Sequence, residues 1–140
     1  MLWVDVLLPY TARMKRGKLI RNGVKIQPHE ESSVDFLLSQ GFNVELIIPV
    51  NTPKNKNPDF LINGVIWELK GPITKSKKTI KRLINSTNKQ STRMIIDLRR
   101  LKLDEEIAVN ILEYEFRESH RVKEMMLIVK DANDILRYRK

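Results

Sequence analysis

The sequence PDFLINGVIWELK, residues 58–70, contains the pattern that decides the fold. Within it, Asn63-Gly64 separates two apolar segments, and a two-residue Asn-Gly connection favours the tight turn of a β-hairpin. With this turn, Asp59 is predicted to lie opposite Glu68 on the neighbouring strand. Side chains in opposite positions have Cβ atoms about 5 Å apart, so the two carboxylates are predicted to face each other.

The paired carboxylates point to a cation. Like charges in opposite positions destabilise a sheet, and Mg²⁺ or Mn²⁺ would offset them because these ions bind one or two carboxylates together with water and phosphate oxygens. Strand alternation places Lys70 on the face of Glu68, whereas Trp67 and Leu69 point to the opposite side. Asp59, Glu68 and Lys70 are therefore predicted to converge. The alternative is a hairpin with one solvated face, on which Glu-x-Lys is a common pattern.

Around this hairpin, the sequence predicts further strands and helices in the order βββ-α-βββ-α-β-α-ββ. Strands are predicted at Trp3–Leu8, at Asn43–Pro49, in both halves of Asp59–Lys70, at Arg93–Leu98, Met125–Val129 and Ile135–Tyr138, and on both sides of an Asn22-Gly23 turn within Lys18–Ile26. Helices are predicted over residues 28–40, Lys75–Gln90 and Asp104–Ser119. This order predicts an α/β (α+β) fold in which a single mixed β-sheet is flanked by helices.

The length favours a single domain over residues 1–140, because a second core would leave each half too small to bury enough apolar surface. Hydrophobic residues make up 41% and charged residues 31%, which is enough apolar content for one core. Apolar runs such as Val44–Val50 fall short of the roughly 20 residues that a membrane helix needs, and Met1–Pro9 lacks the features of a signal peptide. The sequence has no cysteine, which excludes disulfides and thiolate metal sites.

Lysine and arginine outnumber acidic residues, and the excess is confined to one part of the chain. Residues 1–96 contain 16 basic and 7 acidic side chains, whereas residues 97–140 contain 10 of each. A one-sided basic field favours a polyanionic partner, of which nucleic acid is the commonest. An aromatic content of 6% argues against an extended base-stacking surface.

The predicted helix Lys75–Gln90 is the most basic segment. Between residues 75 and 93 the chain has seven basic side chains and no acid, namely Lys75, Lys77, Lys78, Lys81, Arg82, Lys89 and Arg93. Like charges four residues apart weaken an isolated helix, and a phosphate backbone would accept these charges. Thr74 and Ser76 are predicted to cap the helix. The helix is therefore predicted to bind nucleic acid, and the alternative is a solvated lysine-rich face.

The helix predicted over residues 28–40 supplies a third acid. Glu30 precedes Val34 and Leu37 by four and seven residues, so it is predicted to lie on the packing face of the helix. A carboxylate in that position is costly unless it is paired or bound to a metal. Glu31 is the weaker candidate because helical geometry rotates it towards the polar side. Either residue also suits the first turn of a helix, where acids interact favourably with the dipole.

Six motifs between residues 28 and 102 follow one another in order. They are His29-Glu30, Gly41-Phe42, Pro58-Asp59-Phe60, Trp67-Glu68-Leu69-Lys70, the basic helix that ends at Gln90, and the strand Met94–Leu98. This arrangement resembles the PD-(D/E)XK nuclease superfamily, and specifically the C-terminal tRNA-nuclease toxin domains of bacterial contact-dependent inhibition systems. The resemblance implies an αβββαβ nuclease core over about residues 28–102, with extra N-terminal and C-terminal strands and residues 1–27 as an N-terminal extension.

The resemblance also implies roles for individual residues in catalysis. Asp59 and Glu68 would be metal ligands, and Glu30 would complete or support that set. Lys70 would orient or deprotonate the attacking water. In some of these toxin domains the catalytic lysine lies on the helix instead, at positions that correspond to Lys77 or Lys78. Gln90 would position the nucleophile or the substrate, and an ordinary polar residue at a helix end is the alternative.

The implied activity is that of a metal-dependent endonuclease with a toxic role. Mg²⁺ is the favoured metal, with Mn²⁺ or Zn²⁺ as alternatives. The favoured substrate is tRNA and the alternative is DNA, and the nucleophile is either water or a neighbouring 2′-hydroxyl. The resemblance further implies a cognate immunity protein, delivery from another cell as part of a larger protein, and action in the bacterial cytoplasm.

Two other functions fit the same residues. A non-catalytic nucleic-acid-binding module would need only the basic helix, and the acidic pair would then have no role in chemistry. A metal-free ribonuclease would use lysine together with His120. Loss of activity on chelation separates the metal-dependent nuclease from the metal-free one, whereas the absence of any cleavage supports the binding module.

Overall fold

The computed structural model describes residues 3–7, 15–48, 59–85, 91–131 and 135–140. The chain divides into two compact units, one formed by Tyr10–Glu68 and the other by Met1–Pro9 with Leu69–Lys140. The elements follow in the order β1 (Trp3–Leu7), β2 (Leu19–Ile20), α1 (Pro28–Ser39), β3 (Val44–Ile47), β4 (Asp59–Ile62), β5 (Val65–Lys70), α2 (Lys77–Arg82), β6 (Arg93–Asp97), α3 (Glu105–Glu118), β7 (Glu124–Ile128) and β8 (Ile135–Arg139).

The predicted hairpin is the central feature of the unit Tyr10–Glu68. Strand β4 pairs antiparallel with β5, and Phe60 lies opposite Trp67, as an Asn63-Gly64 turn requires. Asn63 and Gly64 have φ values of 50° and 82°, the left-handed conformations that a two-residue hairpin turn of this kind needs. On the other side of β4, strand β3 pairs antiparallel with it, and β2 pairs parallel with β3. The sequence prediction of the hairpin and its register is confirmed.

The prediction of a hairpin within Lys18–Ile26 is wrong, although the predicted turn forms. Asn22 and Gly23 adopt φ values of 51° and 73°. Only the two residues of β2 form a strand before this turn, and they pair with β3 rather than with the residues that follow the turn. The chain after the turn leads instead into α1 at Pro28. An Asn-Gly turn therefore fixes the change of direction here, while strand pairing is decided by the neighbouring sheet.

Helix α1 ends as the sequence predicts. Gly41 takes φ 89°, and its N–H donates to the carbonyl of Leu38 at 2.9 Å, which is the bond pattern of a glycine cap. The buried apolar side chains of this unit come from the helix, from β3 to β5 and from the chain before the helix: Val24, Val34, Phe36, Leu37, Leu38, Val44, Leu46, Phe60, Ile62 and Trp67.

The second unit contains the strand order β1-β8-β7-β6. Strands β6 and β7 are parallel and are connected through α3, whereas β8 pairs antiparallel with both β7 and β1. Helix α3 begins after Asp104, whose carboxylate accepts a hydrogen bond from the Ile107 N–H at 3.1 Å. The core of this second unit includes residues from α2, α3 and the strands, among them Ile80, Ile84, Met94, Ile96, Ala108, Leu112, Phe116, Met125 and Tyr138.

Helix α2 is shorter than the sequence predicts. It spans Lys77–Arg82 rather than Lys75–Gln90, because Ser76 is its N-cap and accepts a hydrogen bond from the Thr79 N–H at 3.2 Å. The chain then forms a turn up to Asn85. The rest of the predicted helix, residues 86–90, lies outside the described residues.

The predicted fold class is confirmed. Parallel and antiparallel strand pairs occur in both units, and helices accompany them, so the protein is of the mixed α+β class. The order α1-β3-β4-β5-α2-β6 agrees with the expected αβββαβ core, preceded and followed by further strands. In the described ranges, no helix has the length and apolar character needed to cross a membrane.

Candidate active site

The β4–β5 hairpin positions the two acids that the sequence singled out. In the observed register Phe60 pairs with Trp67. Asp59 and Glu68 are the next residues outward on β4 and β5, where strand geometry is expected to set them opposite each other. Asp59 is half-buried, and Glu68 is only 2% exposed. The Asn63-Gly64 turn thus sets the relative positions of these two carboxylates, because only a few strand pairs separate them from the turn.

The two faces of the hairpin have different roles. Phe60 and Trp67 are 2% and 4% exposed and belong to the core, and strand alternation turns Asp59 and Glu68 to the other face. Lys70 is the last residue of β5 and is half-buried. All three polar residues take part in hydrogen bonds or electrostatic contacts, so none is an isolated charge.

Glu30, the third predicted acid, makes a hydrogen bond at the start of α1. Its Oε1 accepts a hydrogen bond from the Gln27 N–H at 2.9 Å, at the start of its own helix. In the part of the chain that the structure describes, no three acidic or histidine side chains form a group that could hold a metal ion. A glutamate at the third position of a helix can cap the helix N-terminus, and a metal-binding role for Glu30 stays a prediction.

Glu31 is engaged in an ion pair. The Arg21 guanidinium donates to both carboxylate oxygens of Glu31, at 2.6 and 2.7 Å. These hydrogen bonds lower the pKa of Glu31 and raise the pKa of Arg21. This acid thus fastens the first turn of α1 to the segment that follows β2.

The donor chemistry of the hairpin pair suits a hard divalent cation. Mg²⁺ takes oxygen ligands, keeps several waters and is held by one or two carboxylates together with substrate phosphates. Asp59 and Glu68 supply that number of carboxylates. Oxygen donors of this kind suit Mg²⁺ or Mn²⁺.

The predicted nucleic-acid-binding residues have exposed side chains where the structure describes them. Lys77, Lys78, Lys81 and Arg82 lie on α2, and all four are exposed. Lys75 is also exposed but precedes the N-cap of the helix. Lys89, like the predicted catalytic Gln90, lies outside the described residues. His120, of the metal-free alternative, is exposed after the end of α3.

A groove between α2 and α3 contains residues that the sequence interpretation missed. We call it the α2–α3 groove. It consists of two adjoining cavities of about 380 and 320 Å³ that share Lys81 and Glu115. The other lining residues are Lys78, Arg82 and Asn85 in the first cavity and Asn110, Ile111 and Tyr114 in the second. The helical spacing of Ile111, Tyr114 and Glu115 was the available sequence signal, since it places them on one face of α3.

Comparison with known proteins gives the class of fold first. The structure is similar to a chain of the CdiA-CT/CdiI toxin and immunity complex from Burkholderia pseudomallei, with a TM-score of 0.61 and 21% sequence identity. The similarity covers 86% of this chain and 98% of that chain, and it establishes a shared fold.

The family follows from the sequence itself. Residues 56–133, more than half of the chain, match the family model of the contact-dependent growth inhibition CdiA C-terminal domain. The protein therefore belongs to the CdiA C-terminal domain family. No curated protein matches the chain.

Proposed function

We propose that this protein is the toxic nuclease domain of a contact-dependent inhibition system, and that Asp59 and Glu68 form its metal-binding centre. The observation that carries the proposal is the β4–β5 hairpin, in which Phe60 pairs with Trp67 and the next residues outward are Asp59 and a deeply buried Glu68. Burial of one acid beside another is costly, and a cation would offset that cost. Family membership and the fold shared with a chain of a toxin and immunity complex support the toxic role.

The proposed chemistry is phosphodiester cleavage of the PD-(D/E)XK type. A bound divalent cation would lower the pKa of a coordinated water and stabilise negative charge on the phosphate. Asp59 and Glu68 hold the cation. Lys70, two residues after Glu68 in the same sequence motif, orients the nucleophile and offsets charge on the scissile phosphate. The nucleophile is water, or the 2′-hydroxyl if the substrate is RNA.

The proposed substrate is tRNA, with DNA as the alternative. The resemblance to tRNA-cleaving toxin domains supports tRNA. The basic residues of α2 supply cations for the phosphate backbone, and the exposure of Lys77, Lys78, Lys81 and Arg82 supports this role. Four exposed cations without an intervening acid favour a polyanion over a small neutral ligand.

A proposed partner is a cognate immunity protein. The structurally similar chain comes from a toxin and immunity complex. Because the present chain carries a net charge of +9, an acidic immunity protein would complement it and associate quickly. The proposal includes delivery from another cell as part of a larger protein and action in the bacterial cytoplasm.

A cleavage assay tests the proposal. The purified protein is incubated with total tRNA or with plasmid DNA, in Mg²⁺, in Mn²⁺ and in EDTA. We expect cleavage of tRNA that requires the metal and is lost in Asp59→Asn and in Glu68→Gln. Glu106→Gln is the matched control, because it removes an exposed acid in the first turn of α3.

The outcomes separate the three candidate functions. Cleavage that persists in EDTA and in both hairpin variants would contradict the metal centre and support a metal-free ribonuclease. Binding of nucleic acid without cleavage in any condition would support the non-catalytic module. Metal-dependent cleavage of plasmid DNA but not of tRNA would retain the centre and change the substrate.

A further inference from the structure

The α2–α3 groove presents cations that are suited to phosphate. Lys78, Lys81 and Arg82 follow one another at helical spacing along one side of the groove. In the described ranges, none of the three forms an ion pair with an acid. Their positive charges repel one another at separations of three and four residues, and this repulsion is reversed when a phosphate group binds between them. The groove therefore favours a phosphorylated ligand.

The opposite wall contributes a buried acid, which a site for phosphate alone would not need. Glu115 is 9% exposed and borders both cavities. Its carboxylate makes no hydrogen bond or ion pair with the described residues. A carboxylate offers two acceptor oxygens and no donor, and next to a phosphate it repels. Its presence in the groove therefore indicates a ligand that brings N–H donors as well as a phosphate.

Tyr114 adds an aromatic surface beside that acid. It lines the second cavity with Lys81 and Glu115, and it is 54% exposed. Bases of single-stranded nucleic acid stack on exposed aromatic rings, whereas bases within a duplex are inaccessible to them. Cations on one wall and an aromatic ring with an acceptor on the other are the groups that recognise one unpaired nucleotide.

The two carboxylate oxygens of Glu115 would discriminate between the four bases. Guanine presents two adjacent N–H donors on its Watson–Crick edge, N1–H and N2–H, and these match the two oxygens of a carboxylate. Adenine, cytosine and uracil lack two adjacent N–H donor groups on that edge, so the second carboxylate oxygen would face an acceptor and be repelled. Single-stranded bases are commonly read by hydrogen bonds on this edge.

We propose that the α2–α3 groove binds an unpaired guanine nucleotide of the substrate. Lys78, Lys81 and Arg82 contact its phosphates, Tyr114 stacks on the base, and Glu115 accepts hydrogen bonds from N1–H and N2–H. This inference rests on the nucleic-acid substrate of the proposed function and adds a base preference to it. Cavities of about 380 and 320 Å³ lie at the lower end of the range of roughly 300–1,000 Å³ found for ligand sites.

Equilibrium binding with cleavage disabled tests this inference. Fluorescence anisotropy is measured on the full chain carrying Asp59→Asn, with labelled ten-nucleotide uridine RNAs that contain one central guanosine, adenosine or uridine. We expect the guanosine RNA to bind at least about fivefold more tightly than the adenosine RNA, as one good base contact provides. The matching DNA series distinguishes an RNA source from a DNA source, and the same preference in DNA also supports the groove.

Variants on the same background assign the preference to its residues. Glu115→Gln should abolish the preference for guanosine while leaving the affinity for the all-uridine RNA equal or higher, because a negative charge is removed. Tyr114→Leu should weaken the binding of all three RNAs about fivefold or more. Lys78→Ala should weaken the binding of all three RNAs by the same factor and reduce the dependence of affinity on salt. Lys130→Ala, an exposed lysine outside the groove, is the control and should change nothing.

Equal affinity for the guanosine and adenosine RNAs would overturn the inference, and so would a guanosine preference that survives Glu115→Gln. Thermal unfolding of each variant shows that it is folded before binding is interpreted. Because binding is measured without cleavage, the two proposals fail separately. A protein that prefers guanosine but cleaves nothing would refute the nuclease and retain the groove, whereas cleavage without a base preference would do the opposite.

Discussion

The β4–β5 hairpin and the α2–α3 groove differ in how their residues are brought together. In the hairpin, Asp59 and Glu68 are separated by one tight turn, and the pairing of two short strands fixes their relation. In the groove, Lys78 and Glu115 come from distant parts of the sequence and meet because α2 packs on α3. The first arrangement depends on short-range geometry, and the second depends on the tertiary fold.

The largest expected effect is on cleavage kinetics, where a substitution in the hairpin and one in the groove should change different constants. Lys70→Met should lower kcat for the cleaved substrate about 100-fold or more, since a residue that assists proton transfer contributes roughly 10²–10⁴-fold. Lys78→Ala should raise KM severalfold and leave kcat unchanged, because it removes binding that is equal in the ground and transition states. Steady-state cleavage of the preferred substrate provides both constants. A fall in kcat with Lys78→Ala but not with Lys70→Met would move the catalytic lysine to α2.

Short-range signals are the ones that the sequence reveals. The Asn63-Gly64 turn, the Gly41 cap and the Ser76 N-cap each depend on a few neighbouring residues, and each occurs as predicted. The packing of α2 on α3 has no such local signature. The sequence therefore gives no sign that Glu115 and Tyr114 lie beside the basic helix.

The failures have physical reasons of the same kind. The helical spacing of Glu30 predicts an inward side chain, and it does not reveal that the free Gln27 N–H at the helix start donates to this carboxylate. The segment after Asn22-Gly23 has the turn of a hairpin, yet β2 pairs with β3 instead. In both places the partner is a group that the sequence pattern does not include: the Gln27 N–H for Glu30, and strand β3 for β2.

The unit that carries the hairpin depends on one close backbone approach. A Cβ atom at Gly17 would lie 1.6 Å from the Phe42 carbonyl oxygen, so Gly17→Ala forces the two segments apart. We expect a loss of about 2–3 kcal/mol in the free energy of unfolding, which is typical of overpacking. Urea denaturation measures it.

Gly64→Ala is the matched control for that substitution. Nothing lies within 4 Å of a Cβ at Gly64, but its φ of 82° is unfavourable for alanine, so the cost should be about 1–2 kcal/mol. An equal or larger loss at Gly64 would mean that turn strain, rather than the approach at Gly17, limits the stability of this unit.

On the side of the groove, Arg121 anchors the chain beyond α2. Its guanidinium donates to the Ile84 carbonyl at 2.8 Å and also to the Ser91 carbonyl. Arg121→Ala should cost about 2 kcal/mol, because hydrogen bonds to charged groups contribute about 1.5–3 kcal/mol. Arg121→Lys keeps the charge but lacks the planar fork, and most of the loss should remain. Chemical denaturation checks both, and full stability in Arg121→Lys would assign the effect to charge alone.

The smallest expected effect concerns pH. Burial raises the pKa of Glu124, but hydrogen bonds from Arg137 and Arg93 together outweigh it and lower the pKa below its usual value. A lowered folded-state pKa stabilises the protein above the unfolded pKa, about 4.3, and this contribution is lost as pH falls through the folded value. Glu124→Gln should therefore lower Tm at pH 7 and should differ little from the parent near pH 3. A difference in Tm that is constant with pH would contradict the ion-pair origin.

Binding of Mn²⁺ to the hairpin tests the central claim most directly. Free Mn²⁺ is followed by electron paramagnetic resonance while the ion is titrated into the parent protein, Asp59→Asn and the control Glu106→Gln. We predict one site per chain in the parent and the control, and an affinity at least about tenfold lower in Asp59→Asn. Equal Mn²⁺ affinity in all three proteins would contradict a metal centre built from Asp59 and Glu68.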